Sequence, residues 1–318
     1  MPPSMIAVRI QAKRPAADDI QTFELVAADG GALPPFSAGA HIDVEVEPGV
    51  LRQYSLCNRP GETERYRIAV LRDPASRGGS VRLHDAFAEG EAVNISPPRN
   101  HFELAPGASR SILIAGGIGV TPLLSMAAHL QAEGADFEFH YCTRSPARTA
   151  FHDELVRGDF ADRLILHFDD GPDHQRFNPD KALGAPQPGV HIYVCGPQGF
   201  IDWVLASARS QGWSDGQLHR EYFSASPIVV DGDQAFEVRV NSTGAVYPIP
   251  ADRTVVEVLA DHGIEIPVSC QQGICGTCIT RVIEGEPDHR DMVLMGTEMD
   301  EFAPCCSRAR TPLLVLDL

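Results

Sequence analysis

The amino-acid sequence predicts three folded parts in succession: an antiparallel barrel or sandwich of short strands, a doubly wound parallel α/β sheet, and a small cysteine-bearing domain at the C-terminal end. Three observations carry this reading. Short apolar strands recur between Pro, Gly and Asp turns as far as residue 104, the pattern becomes strand, glycine turn, helix from Ser111, and five of the eight cysteines fall within the last fifty residues. A chain of 318 residues also exceeds one ordinary core. The divisions expected are 1–104, 105–226 and 227–318.

In the first part, strands are expected at Met5–Ile10, Ile20–Leu25, His41–Val46, Arg52–Leu56, Tyr66–Leu71 and Ala92–Ser96. Alternation puts Arg52 and Tyr54 on one face of their strand and Ser55 on the other. The run Arg77-Gly78-Gly79-Ser80 precedes a short helical stretch from Val81. Consecutive glycines ahead of a helix, flanked by an arginine and a serine, suit a phosphate cradle, because free amides and the helix dipole favour an anion there.

In the second part, Ser111–Ala115 is an apolar run of the kind a buried parallel strand shows, followed by Gly116-Gly117-Ile-Gly119-Val-Thr121-Pro122 and a helix over Leu123–Ala132. The unit repeats in outline: Phe137–Tyr141 to a helix near Phe151–Val156, Arg163–Phe168, and Ile192–Cys195 before Gly196-Pro197-Gln-Gly199 and a helix over Phe200–Gln211. Such sheets bind ligands at the carboxyl ends of their strands. The first glycine turn departs from the G-x-G-x-x-G dinucleotide fingerprint.

In the third part stands Cys270-Gln-Gln-Gly-Ile-Cys275-Gly-Thr-Cys278, with Cys305-Cys306 after a polar interval. A C-x4-C-x2-C run with a distant fourth cysteine is the plant-type spacing for a 2Fe–2S cluster. Structural zinc sites use two close pairs instead, and a disulfide framework would need a denser and more even distribution. Cys57, Cys142 and Cys195 stand alone, which suits a reducing compartment. Adjacent residues of an extended segment point to opposite sides, so Cys305 and Cys306 are not both expected to reach one cluster.

No apolar run approaches the length needed to span a bilayer, and the start resembles no signal peptide, so a cytoplasmic protein without a membrane partner is expected. A net charge of −17 opposes nucleic-acid binding. Residues 227–318 hold 15 acidic and 6 basic side chains, a net −9, which suits either a solvated face or docking of a basic partner around the exposed end of the Cys270–Cys278 loop, with Glu284, Glu286 and Asp288 as candidates for charge reversal.

Arg52-x-Tyr54-Ser55, Gly116-Gly-Ile-Gly-Val-Thr-Pro122, Cys195-Gly-Pro197 and Glu221-Tyr-Phe223, in that order ahead of the cysteine loop, resemble the ferredoxin–NADP⁺ reductase superfamily, and within it the phthalate dioxygenase reductase and vanillate O-demethylase reductase group. The resemblance covers nearly the whole chain. It implies a flavin-binding β-barrel, a nicotinamide domain and a C-terminal ferredoxin domain. Phe236–Val240, Ala245–Ile249, Val255–Asp261 and Leu313–Leu316 fit the hairpin, helix and last strand of such a β-grasp domain.

The resemblance further implies that Arg52 and the Arg77, Gly78, Gly79 and Ser80 turn face the phosphate of FMN, that Tyr54 packs on the isoalloxazine and that Ser55 bonds near its N5. Gly116, Gly117, Gly119, Thr121 and Pro122 would receive the NADH pyrophosphate, while Gly196 and Pro197 place Cys195 beside the nicotinamide, Glu221 helps to position that ring and Phe223 covers the flavin. Tyr222 is a departure with no role implied. Cys270, Cys275, Cys278 and Cys305 would hold the cluster, since Cys305-Cys-Ser-Arg-Ala matches the Cys-Val-Ser-Arg-Ala of the group with Cys306 at the valine position. NADH delivers a hydride and the cluster accepts single electrons, so a flavin must stand between them. The expected activity is that of a reductase handing electrons to a separate, Rieske-type aromatic oxygenase or O-demethylase. An iron–sulfur sensor or carrier without enzyme activity, and a stand-alone flavin reductase, are the alternatives.

Overall fold

Alternation of apolar and polar side chains sets the first six strands: β1 (Ile6–Ala17), β2 (Ile20–Ala27), β3 (His41–Glu47), β4 (Val50–Ser55), β5 (Tyr66–Leu71) and β6 (Ala92–Ile95). In this computed structural model, which describes residues 5–73, 78–223, 232–268, 270–294 and 300–318, they form one antiparallel sheet in the order β4-β3-β6-β1-β2-β5. A bridge between Leu56 and Ile68 joins its two edges, which closes the sheet into a barrel and removes its free edge strands. Inward-facing Val8, Ile10, Phe23, Leu25, Ile42, Val44, Tyr66 and Ile68 fill it. The helix α1 (Gly79–Ala86) crosses after β5, and its Leu83 joins this core.

Strands β7 (Arg110–Gly116), β8 (Phe137–Thr143), β9 (Leu164–Phe168), β10 (Val190–Gly196) and β11 (Leu218–Tyr222) make a sheet in the order β11-β10-β7-β8-β9, with β10, β7, β8 and β9 parallel. Helices α2 (Val120–Ala132), α3 (His152–Arg157), α4 (Pro179–Ala182) and α5 (Gln198–Ser210) connect them. Its strands read as continuous apolar runs because both faces are covered, so Ile112 to Ala115 and Ile192 to Cys195 are all buried. Residues up to Glu221 form one compact unit. Within it the core under α2 runs on into barrel residues Ile20, Ala38, Cys57 and Ala69, and Arg67 of β5 makes a bidentate pair with Glu154 of α3 at 2.6 and 3.0 Å.

The second unit, Tyr222–Leu318, holds a mixed sheet of β12 (Phe236–Val240), β13 (Val246–Ile249), β14 (Thr280–Glu284), β16 (Glu301–Phe302) and β18 (Leu313–Leu316), ordered β13-β12-β18-β14-β16. A two-residue pair, β15 (Pro287–Asp288) with β17 (Arg308–Ala309), lies beside it. The antiparallel β12–β13 hairpin, the parallel pairing of β12 with β18, and helix α6 (Val255–Asp261) packed on the sheet make a β-grasp. Thr254 and Glu257 cap α6 reciprocally, which fixes where the chain enters it. Arg308 is buried and donates to the carbonyls of Arg253, Gln234 and Pro250 while its guanidinium stacks on Phe236.

One expectation changes. Residues 304–306 form a turn, so the alternation argument for Cys305 and Cys306 does not apply, because it assumed extended backbone. The acidic residues named for docking carry arginine partners: Glu284 pairs with Arg239 at 2.8 Å, Glu286 with Arg310 at 3.5 Å and Asp288 with Arg290 at 3.0 Å. The net −9 of residues 227–318 already counts these arginines, so the pairing leaves the excess of acid in place.

Candidate functional site

The first unit brings the end of barrel strand β4 to the carboxyl side of the parallel sheet. Pairing of Ser55 with His41 turns its side chain to the face opposite Tyr54, which packs against the barrel core. The Ser55 hydroxyl donates to Glu221 Oε2 at 3.3 Å. Glu221 is half-buried by area yet closely enclosed by protein atoms, and burial raises its carboxyl to about 8, with the Ser55 hydroxyl acting in the opposite direction. Cys195 at the end of β10 is fully buried, and its thiol is raised by burial first and by the Glu221 charge second, with the Gly196 amide opposing. Ser55, Cys195 and Glu221 therefore share one environment in which a hydrogen-bond donor, a thiol and a proton-binding carboxyl adjoin.

The glycine run after β7 is fitted to its surroundings. A Cβ on Gly119 would stand 2.2 Å from the Cys195 carbonyl oxygen, so only glycine lets the turn approach β10 this closely. Gly117–Gly119 is a 3₁₀ turn that leads directly into α2, and the Thr121 hydroxyl bonds back to Ile118 O at 3.1 Å. Pro122 sits in the first turn of α2, where its missing N–H costs nothing. Gly196 lies against Gly116, a built Cβ being 3.0 Å from Gly116 Cα, and Pro197 precedes α5. This arrangement brings glycine backbone and the starts of two helices together at the carboxyl ends of β7 and β10, which suits an anionic dinucleotide.

The barrel supplies a second anion-fitted feature. Arg52 extends across the start of α1, with its Cγ 2.6 Å from where a Gly79 Cβ would stand, so the arginine stem and the Gly78–Gly79 turn are in contact. The Ser80 hydroxyl accepts from the Asp73 amide at 3.2 Å and so closes this turn on itself. Arg77 lies outside the described residues. Phe223 is exposed just after β11.

Two residues escaped sequence reasoning. Asp169 and Asp170 follow β9, and their amides bond to the carbonyls of Thr143 and Arg144 at 3.0 and 3.1 Å, which puts two carboxylates beside the arginine at the end of β8. Arg148 pairs with Asp19 at 3.5 Å. Acid adjoining the end of the second strand was findable from the Asp-Asp pair itself once β9 was placed.

In the second unit the four thiols group in twos. Cys270 contacts Cys275, and Cys278 contacts Cys305. All four are buried. The Cys275 sulfur is lowered to about 5 by the Cys270 thiol that bonds to it, helped by Thr277, and Cys270 is raised as the donor of that pair. Amides point at sulfur: Gln272 N–H to Cys270 at 3.3 Å and Thr277 N–H to Cys275 at 3.5 Å. Gly273 has φ +73°, and a Cβ there would strike Cys306 Sγ at 2.4 Å, so the tight loop needs glycine. Two thiol pairs match two bridged irons better than one tetrahedral ion, and among the described residues no three His, Cys, Asp or Glu side chains converge on a point suited to a single metal. Cys306 instead bonds to Ala303 O at 3.7 Å and to Ser307 Oγ at 3.7 Å.

Comparison with known proteins adds the following. Residues 113–205 match the oxidoreductase NAD-binding domain family, and residues 238–310 match the 2Fe-2S iron-sulfur cluster binding domain family. The chain is 56% identical to the vanillate O-demethylase oxidoreductase of Pseudomonas sp. (strain HR199 / DSM 7063), over 99% of this chain and 100% of that one. It is 43% identical to the phthalate dioxygenase reductase of Burkholderia cepacia, over 98% of this chain and 97% of that one. A solved phthalate dioxygenase reductase structure, described as modular for electron transfer from pyridine nucleotides to 2Fe-2S, superposes with a TM-score of 0.76 at 42% identity, covering 99% of this chain and 98% of that one.

Proposed function

The chain belongs to the family of iron–sulfur oxidoreductases that includes vanillate O-demethylase oxidoreductase and phthalate dioxygenase reductase, and from that premise we propose that it takes electrons from NADH through FMN to a 2Fe–2S cluster and delivers them singly to a separate Rieske-type aromatic oxygenase or O-demethylase. The observation that carries this reading is the meeting of Ser55 with Glu221, because it joins a flavin-type barrel to a nicotinamide-type sheet in one compact unit. A carrier or sensor without enzyme activity would not need the NAD-binding domain, and a stand-alone flavin reductase would not need the cluster domain; this chain has both.

In this proposal the parts divide at 1–104, 105–226 and 227–318. Arg52 and the Gly78–Ser80 turn hold the flavin phosphate, Tyr54 and Phe223 flank its ring, and Ser55 donates near its reacting nitrogen. Gly116 to Pro122 and Gly196-Pro197 receive the dinucleotide, with Cys195 and Glu221 shaping the nicotinamide pocket. Cys270, Cys275, Cys278 and Cys305 hold the irons. The flavin supplies conversion of a two-electron donor into one-electron steps. The protein's work is to orient hydride donor and acceptor and to keep water from them. Glu221, raised to about 8, is placed to take or give a proton through Ser55.

A cytoplasmic setting is part of the same proposal, supported by eight free thiols. Among the described residues no helix is long and apolar enough to cross a membrane. The test is to identify the flavin that acid releases from the protein as purified, without added cofactor, and to measure NADH-driven reduction of candidate oxygenase components. FMN, and transfer to a Rieske component, are expected. Recovery of FAD, or NADH oxidation that never reduces the cluster, overturns the proposal.

A further inference from the structure

Asp291 is the most enclosed carboxylate near the cysteine loop, with no exposed side-chain area. Its Oδ1 accepts the amides of Val293 and Leu294 at 3.1 and 2.6 Å, and its Oδ2 accepts the Ser307 hydroxyl at 3.2 Å. Ser307 in turn accepts the Arg290 amide at 3.0 Å, and it follows Cys305-Cys306 directly. On its other side Asp291 packs on the cysteine loop. A Cβ on Gly273 would stand 2.9 Å from Asp291 Cα and 3.0 Å from Asp291 Cβ, the Met292 amide bonds to Gly273 O at 2.8 Å, and the Gly273 amide points at the Cys305 sulfur. The buried carboxylate thus bonds the segment 291–294 to Ser307 beside the Cys305 turn, while the Cα and Cβ of Asp291 and the Met292 amide meet the loop carrying Cys270–Cys278.

Its charge has little cationic company. Arg290, the nearest arginine in sequence, turns to Asp233 and Asp288 at 2.6 and 3.0 Å. His289 lies 3.6 Å from Asp291 Oδ2, and both its ring nitrogens are enclosed without a hydrogen-bond partner. Four thiolates and two bridging sulfides already make the cluster anionic, and reduction adds one more negative charge. A fixed carboxylate in a low-dielectric setting, on a residue packed against Gly273 of the cysteine loop, would oppose that addition.

We propose that Asp291 is a positioning residue that both holds the cluster loop against the Cys305 turn and lowers the cluster's reduction potential, keeping it a strong enough reductant for its acceptor. The inference rests on the assignment of Cys305 as a cluster ligand but not on the identity of the oxygenase.

The test is a spectroelectrochemical titration of the full-length holoprotein, with iron content and visible spectrum measured alongside. Asp291→Asn keeps the shape and most donors' partners while removing the charge; at a fixed poise near the native midpoint its ratio of reduced to oxidised cluster should rise at least about tenfold, which is about 59 mV for a one-electron couple. Ser307→Ala, which leaves the carboxylate in place, should move that ratio by less than about threefold. His289→Lys brings a cation to the same carboxylate without touching its hydrogen bonds and should raise the ratio in the same direction as Asp291→Asn. Full iron content with a ratio within about twofold of native in Asp291→Asn overturns the proposal. If that variant loses its cluster, an unmoved ratio in His289→Lys overturns it equally. Failure of NADH to reduce the cluster in the native holoprotein would count against the functional reading alone, since the potentials are measured by electrode without NADH.

Discussion

The Ser55 hydroxyl donates to Glu221 Oε2 across 166 residues of sequence, at 3.3 Å. Ser55 ends a barrel strand and Glu221 lies in β11 of the parallel sheet, so the bond reports how the two sheets meet.

Glu221 should make the first unit less stable as pH rises. Its folded-state carboxyl sits at about 8, above the ordinary 4.5, so between those values the folded form binds more protons than the unfolded one and stability falls. Glu221→Gln should flatten this slope between pH 5 and 8 and raise the melting temperature of the flavin-free protein at pH 8 by roughly 2–4 °C for each kcal/mol relieved. Thermal melts across that range check it, and parallel pH dependence in both proteins counts against it.

Ser55→Ala removes the donor while leaving the barrel packed. Flavin reduction by NADH in rapid mixing should slow by about tenfold, equivalent to a hydrogen bond of ~1.4 kcal/mol in the transition state, with flavin content unchanged. An unchanged rate would leave Ser55 a structural link alone.

Cys305→Ser should lose most of the cluster's visible absorption and Cys306→Ser should keep it. The reason is contact: Cys305 meets Cys278 of the cysteine loop, whereas Cys306 meets Cys305 and bonds to Ala303 O and Ser307 Oγ. The opposite pattern would reassign the fourth ligand.

NADH should be preferred to NADPH by at least tenfold in kcat/KM. Asp169 and Asp170 adjoin Arg144, and Arg148 is drawn to Asp19, so a 2′-phosphate would meet more acid than base. Asp170→Ser should narrow the gap. Equal efficiencies in the native protein would sink this expectation.

Arg308→Ala should destabilise the second unit by about 3–5 kcal/mol, since it strips three carbonyls of their donor and leaves Asp233, 3.8 Å away, with one cation fewer. Calorimetry should show the transition carrying loss of the cluster's absorption moving down while the other stays.

Much of this was legible beforehand for physical reasons. Buried parallel strands such as Ile112–Ala115 are apolar throughout, and Gly119 and Gly273 occupy places where backbone or sulfur leaves no room for a Cβ. The strand β14 was missed because Thr280–Glu284 alternates on one buried face only and follows directly from the cysteine loop. The pairing of the acids was not legible, because Arg239 and Arg310 reach Glu284 and Glu286 from other strands and turns, and only Arg290, two residues from Asp288, is a sequence neighbour of its partner. The Asp291 network was invisible for a similar reason: its members Gly273, Asp291 and Ser307 share no period and meet only through tertiary folding.

The thiol pairs differ in what supports them. Cys278 and Cys305 belong to the apolar core of the β-grasp, together with Val238, Leu259 and Leu314, whereas Cys270 and Cys275, although buried, stand outside that core. A chelator should therefore act first on the side of the receptacle that the apolar core does not hold, with amide exchange quickening at 270–277 before it does so in β12 or β18.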